Sequence, residues 1–158
     1  MAEAAKIIEG LFRRGLHVAT AESCTGGMVS AALTDVPGSS DVFGWGLVTY
    51  SNEAKTRLLG VKDATLAQWG AVSPQTATEM LAGLLRISGA DVAVATTGVA
   101  GPGGGSAEKP VGLVYIACGD AEHVEIERCF FSGDRDSVRR QTVARALDML
   151  EQYLEDRK

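Results

Sequence analysis

Helical and strand-like hydrophobic patterns alternate along almost the whole of this sequence, and that alternation restricts the possible folds more than any other feature. Ile7, Ile8 and Leu11 repeat at helical spacing in a segment from Met1 to Gly15, and Leu16 to Thr20 then reads as a short strand. Glu22 to Gly27 is a turn, followed by a small apolar helix from Met28 to Leu33 that Pro37, Gly38 and Ser39 end. Phe43 to Tyr50 is a second strand, rich in aromatic and β-branched residues, after which Asn52 caps a helix over Glu53 to Leu59. Ser73 and Pro74 open a further helix whose apolar stripe is Ala77, Met80, Leu81, Leu84 and Leu85, with Gly89 as its stop. Asp91 to Thr96 reads as a buried central strand. Val111 to Cys118 and Val124 to Phe131 form a hairpin turning at Gly119 and Asp120, with one face of the second strand wet. A last helix starts near Asp134 and carries Val143, Leu147, Leu150 and Leu154 toward the core.

Such an order predicts one α/β domain over residues 1–158: a three-layer α/β/α sandwich on a mixed, mainly parallel sheet of about five strands, the hairpin adding an antiparallel strand. The chain holds no repeat, low-complexity tail or flexible linker.

Net charge is −5 without any run of Lys and Arg, which argues against electrostatic capture of nucleic acid but leaves room for one anionic metabolite. The first segment lacks the pattern of a cleaved leader, and no segment approaches the roughly 18 apolar residues that span a bilayer, so the cytoplasm is expected. Cys24, Cys118 and Cys129 are odd in number and without metal-ligand spacing, which points to reduced thiols rather than disulfides or zinc. The 19 glycines exceed the roughly 11 that an average of about 7% would give, a sign of tight turns or backbone-lined ligand sites.

Four constellations carry the chemistry. Ala21-Glu22-Ser23-Cys24-Thr25-Gly26-Gly27 lies between a strand end and a helix start, where free amides can hold an oxyanion formed by attack of Ser23 or Cys24. A plain capping turn is the competing reading. Thr49-Tyr50-Ser51-Asn52-Glu53-Ala54-Lys55 puts a lysine in the first turn of a helix, where the macrodipole and any burial lower its pKa toward that of a base able to activate serine. Tyr50 is placed to orient the amine or relay a proton; a surface lysine and a core tyrosine are the simpler alternative. Thr96 to Ser106 follows the central strand and can present amides to an anion, above all from Thr97 to Gly101, although it lacks the ending of a nucleotide-binding Walker loop and a flexible surface turn is the competing reading. Ser132 to Arg140 places Arg135 at a helix start, where a guanidinium can grip phosphate, unless Asp134 and Asp136 merely neutralise it. His17 and His123 have no Asp or Cys partner at motif spacing, so a Ser-His-Asp triad is not expected.

Together, Thr20 to Gly27, Val48 to Lys55, Gly98 to Pro102, Glu108 to Gly112 and Phe131 to Asp136 resemble the CinA C-terminal domain family, in that family's order. The resemblance implies hydrolysis of the carboxamide of nicotinamide mononucleotide to the nicotinic acid mononucleotide and ammonia, in pyridine nucleotide salvage. It implies Ser23 as nucleophile, Lys55 as base and Tyr50 as their assistant, with Thr97 and Arg135 at the site, and the local reading adds Cys24, Thr25, Gly26, Gly27, Gly98 and Gly101 around the substrate. It further implies a fold similar to anticodon-binding domains, no metal or cofactor, and an oligomer, usually a dimer. Many relatives add an N-terminal domain similar to molybdopterin-binding proteins, for which 158 residues leave no room. Three rivals stand beside this reading: a Cys24 nucleophile, a nucleotide-binding module without turnover, and an RNA-binding domain suggested by fold alone.

Overall fold

The computed structural model describes residues 2–157, so Met1 and Lys158 of the expected single domain lie outside the described residues. Its elements are α1 (Ala2–Arg14), β1 (Val18–Glu22), α2 (Met28–Thr34), β2 (Phe43–Val48), α3 (Asn52–Leu59), α4 (Asp63–Trp69), α5 (Pro74–Ser88), β3 (Val92–Gly98), β4 (Leu113–Gly119), β5 (Val124–Phe130) and α6 (Arg135–Glu155). A short 3₁₀ turn, Ser39–Asp41, precedes β2.

The strands form a single sheet in the order β2-β1-β3-β4-β5. β1 pairs in parallel with β2 and β3, while β4 is antiparallel to both of its neighbours. The sheet is therefore mixed as expected, with one antiparallel strand supplied by the hairpin; four strands run the same way, although the ladders divide evenly between the two kinds.

Strand alternation sorts the side chains of the sheet onto two unlike faces. Val18, Val92, Val94, Val114 and Ile116 pack beneath α1, α2 and α6. Ala19, Ala21, Ala93, Ala95 and Ala117 face α5, and so small a surface lets that helix sit close to the sheet. Gly83 extends the closeness to α3, because a Cβ there would lie 1.7 Å from the Leu59 carbonyl oxygen. The stripe read from sequence is the inner face of α5, with Ala77, Met80, Leu81 and Leu84 buried.

The departures from the expected elements are local. β1 starts at Val18 because the C-terminal turn of α1 consumes Leu16, whose N–H donates to the Leu11 carbonyl. Glu22 consequently belongs to the strand rather than to the turn. β4 starts at Leu113 because the preceding residues turn, with the Leu113 N–H donating to the Pro110 carbonyl. Helix α4 buries none of its residues, and so has no apolar stripe by which to be foreseen. Ser51, not Asn52, caps α3, its hydroxyl accepting from the Ala54 N–H at 3.0 Å. On β5 both faces are largely exposed, not one: Val124, Ile126 and Phe130 join the polar residues at the surface, and only Cys129 is buried.

Candidate active site

β1 and β2 end level, Glu22 standing in register with Val48, while β3 runs two residues past Thr96, the partner of Glu22, to Gly98. The chain leaves β1 toward β2 on one flank and later returns to β3 on the other, which opens a crevice beyond the carboxyl ends of these strands. Ser23 is the first residue past β1. Its N–H donates to the Thr96 carbonyl at 3.0 Å and its carbonyl accepts the Gly26 N–H at 3.0 Å, so the backbone on both sides of the nucleophile candidate is fixed.

Lys55 reaches the same point from α3. The Ser51 cap sets the start of that helix, and its first full turn carries Lys55 inward until the residue is only 1% exposed. The Lys55 Nζ lies 2.9 Å from Ser23 Oγ and donates to the Thr49 carbonyl at 2.8 Å. No carboxylate pairs with the amine among the described residues. Burial pulls its pKa from the ordinary lysine value of 10.5 down to about 8. Desolvation is the dominant cause. Cys24 moves the opposite way: burial, with a smaller push from Glu22, raises its thiol to about 12, so it is protonated at neutral pH.

Both groups open onto a cleft of about 290 Å³. Arg135, the first residue of α6, forms its rim by donating to the Gly101 carbonyl at 2.7 Å and to the Tyr50 hydroxyl at 2.9 Å. Three clefts are roomier: the one at Ala82, Arg86 and Asp120 has no serine or thiol, the one at Cys118 holds a thiol that burial pushes up to about 12, and the one at Pro102, Val111 and Arg139 adjoins the Ser23 cleft through Ala100 and Arg135 without a serine or thiol of its own.

A family profile for the CinA C-terminal domain matches residues 2–154. The chain belongs to the CinA C-terminal domain family. The nicotinamide-nucleotide amidohydrolase PncC of Escherichia coli K12 is 53% identical over 151 residues, covering 94% of this chain and 91% of that protein. A putative competence-damage inducible protein of Caldanaerobacter subterraneus is 50% identical over 96% of this chain, which spans only 37% of that relative's length. Other relatives of the same description are likewise about three times as long. Among solved structures, the competence/damage inducible protein CihA of Agrobacterium tumefaciens superposes with a TM-score of 0.94 at 49% identity, covering 96% of this chain and 93% of that one.

In this CinA domain, Ser23, Lys55 and Tyr50 line the cleft together with Cys24, Thr97, Gly98, Gly101 and Arg135. Tyr50 meets the cleft at its rim, 59% exposed, with its hydroxyl held by Arg135 rather than by the lysine amine. The Thr97 hydroxyl donates to the Ala71 carbonyl at 2.7 Å, pinning the segment before α5 against the cleft. Thr25, Gly26 and Gly27 are the exceptions to the expected substrate-facing set, since none of them lines the cleft. Thr25 turns inward to Glu22 and Thr96, at 2.6 and 2.8 Å, and the Gly26 N–H is already taken by Ser23. The amides of Cys24, Thr25 and Gly27 are left without an acceptor among the described residues.

The sequence assigns no site role to Glu22 or Arg139, and Asn52 reads there only as a helix cap. Glu22 is fully buried and accepts from the Thr25 hydroxyl, the Val29 and Ser30 N–H groups and the Ser30 hydroxyl, at 2.6, 2.8, 3.1 and 2.8 Å. Period-2 alternation from Val18 through Thr20 aims it at α2, a signal available once the strand is extended to Glu22. Asn52, free of capping, lines the cleft. His17 and His123 each lie near an aspartate, at 3.6 and 3.7 Å, but both are exposed and sit at the opposite end of the sheet. Among the described residues, no group of three or more His, Cys, Asp or Glu is arranged to hold a metal, and no helix is long and apolar enough to cross a membrane.

Proposed function

We propose that the chain is a nicotinamide-nucleotide amidase that cleaves the carboxamide of nicotinamide mononucleotide by Ser-Lys chemistry. One observation carries the mechanism: a buried amine, depressed to about 8, lies 2.9 Å from a serine hydroxyl in a cleft. The likeness to PncC over nearly the full length of both proteins carries the substrate.

In this reading the neutral Lys55 amine accepts the Ser23 hydroxyl proton as Oγ attacks the amide carbon. The Thr49 carbonyl holds one amine N–H, which leaves the lone pair directed at the serine. Of the cleft-lining residues Cys24 offers an unclaimed amide N–H to the oxyanion, and the unclaimed N–H of the next peptide, at the buried Thr25, is assigned beside it. Collapse breaks the C–N bond, the Lys55 ammonium protonates the departing nitrogen, and ammonia leaves behind an ester on Ser23. Water then attacks that ester with Lys55 again as base, releasing the acid and restoring the serine.

The phosphate end is assigned to Arg135 and to the amides of Ala100, Gly101, Gly103 and Gly104, which line the cleft and have no acceptor among the described residues. Salvage of pyridine nucleotides is the setting this product fits. A dimer is the expected assembly, consistent with the exposed Trp45 and Val48 on the free edge of β2.

Ammonia release from nicotinamide mononucleotide, with free nicotinamide and the dinucleotide as competitors, tests the assignment. Turnover of the mononucleotide that Ser23→Ala abolishes supports it. Preference for free nicotinamide, or tight binding of the mononucleotide without ammonia, overturns it, the latter in favour of a binding module.

A further inference from the structure

We infer that Arg139 is a positioning residue for the amide bond cleavage, acting on the reacting atoms through the peptide units of the nucleophile turn. The inference rests on the reading of Ser23 as nucleophile and adds a residue to its machinery.

Arg139 lies one helical turn beyond Arg135 on α6. Its Nε donates to the Cys24 carbonyl at 3.1 Å and its Nη2 to the Thr25 carbonyl at 3.2 Å. It is half-buried, and no carboxylate approaches it within 4.0 Å among the described residues. The full charge of the guanidinium thus rests on two consecutive backbone carbonyls. It does not line the Ser23 cleft but an adjoining one that shares Ala100 and Arg135 with it, so a direct hold on substrate would appear in KM, whereas an effect through the turn appears in kcat.

The direction of that effect follows from peptide planarity. In a trans peptide the carbonyl and the N–H point opposite ways, so drawing the Cys24 carbonyl toward α6 aims the Thr25 N–H away from Arg139. Drawing the Thr25 carbonyl the same way aims the Gly26 N–H back into the turn, where it meets the Ser23 carbonyl at 3.0 Å. The turn is thereby fixed with one amide closing it and the amides before it unclaimed. A cation bonded to the carbonyl of a peptide also polarises that unit, which makes its N–H a stronger donor. Gly26 is shaped to permit this grip: its φ is +57°, and a Cβ there would stand 3.3 Å from Arg139 Nη2.

The test uses the full chain with Arg139→Met and Arg139→Lys. Two rates are read: ammonia release from nicotinamide mononucleotide, and labelling of Ser23 by a fluorophosphonate, followed by intact mass. In the labelling step the Ser23 Oγ–P bond forms, the P–F bond breaks, fluoride leaves and the hydroxyl proton passes to Lys55. The expected result is a fall in kcat of roughly 10- to 100-fold, with KM within about twofold and labelling slowed by a similar factor, since only transition-state stabilisation is lost. Lysine restores little, because one ammonium does not hold two carbonyls in a planar fork. The midpoint of the pH profile stays where it is in the unsubstituted protein. Unchanged kcat with a lower melting temperature, a rise in KM alone, a shifted pH midpoint, or failure of both variants to fold each overturns the inference. If the unsubstituted protein labels at Ser23 but releases no ammonia, the substrate assignment fails while the labelling rates still decide the role of Arg139. Absence of labelling at Ser23 in the unsubstituted protein overturns both.

Discussion

On opposite sides of the nucleophile turn lie two ionisable side chains that are equally hidden from water and put to opposite uses. Glu22, 0% exposed on the α2 side, is surrounded by four hydrogen-bond donors. Lys55, 1% exposed on the α3 side, has one carbonyl and one serine hydroxyl. The carboxylate's bonds run to α2 and to Thr25, so it ties the helix to the strand and fixes the turn between them. The amine receives too little to offset its desolvation, and so it is pushed toward the neutral state in which it can take a proton. Burial alone does not decide which is scaffold and which is reagent. The partners supplied do.

The largest effects are expected where the under-supplied pair is broken. Ser23→Ala and Lys55→Met should each lower kcat by about 10³-fold or more, and the double variant should lose little beyond either single one, because the two act as a unit. In the unsubstituted protein the rate should rise with pH through about 8, as the lysine loses its proton and becomes competent as a base. A rate that falls over that range would break the comparison by requiring the charged lysine. Stability should move in parallel. The folded-state pKa lies below the unfolded value of 10.5, so the unfolded chain binds more protons between about 8 and 10.5 and stability climbs with pH across that window. Below it the cost of burying the charged amine is fully present. Lys55→Met should therefore be more stable than the parent near pH 7, by roughly 1–3 kcal/mol, and should lack that climb, as melting temperature against pH will report.

Glu22→Gln probes the other side, with a smaller and opposite signature. The amide keeps the side-chain shape but turns an NH₂ toward groups that are themselves donors, including the Val29 and Ser30 N–H. A loss of roughly 1–3 kcal/mol in urea unfolding is expected, with kcat lowered far less than by loss of Lys55. Unchanged stability would show that the four bonds do not hold the scaffold.

These two side chains also mark what the sequence makes legible. The resemblance pairs Lys55 with Ser23, and the register supports it, since each follows a strand whose end stands opposite the other's. Thr97, which the resemblance marks, lies instead inside β3, one residue before its end. The sequence does not find Glu22, whose work becomes visible only once β1 is known to run two residues past Thr20. Nor does it find Arg139, whose partners are backbone carbonyls 114 and 115 residues away and carry no side-chain signature. Thr25 and the two glycines after it read as ligand groups from their place between a strand end and a helix start, yet the hydroxyl of Thr25 and the amide of Gly26 are consumed inside the protein. Helix α4, which buries nothing, leaves no periodicity to read.

A smaller effect tests whether proximity to the pair is enough to confer a role. Cys24 lines the cleft beside Ser23, but its thiol is held near 12 and stays protonated throughout the working range. Cys24→Ala should retain kcat within about threefold, because an alanine supplies the same backbone N–H to the oxyanion. A loss on the scale of Ser23→Ala would transfer the nucleophile to sulfur.

The smallest effect is expected at Thr49, which supplies a carbonyl to Lys55 while its own hydroxyl is buried without a partner among the described residues. By the rule drawn from Glu22 and Lys55, a buried polar group given nothing is either a cost to the fold or a reagent. The hydroxyl touches neither Ser23 nor Lys55, and the amine uses only the backbone oxygen of this residue. Thr49→Val keeps shape and β-branching, leaves that oxygen in place and removes an unsatisfied oxygen from the interior. Stability should therefore hold or rise by up to about 1 kcal/mol, with kcat within about twofold of the parent. A tenfold fall in kcat at unchanged KM would mean that the hydroxyl finds its partner only during the reaction, and would move Thr49 from the scaffold side of the comparison to the side of Lys55.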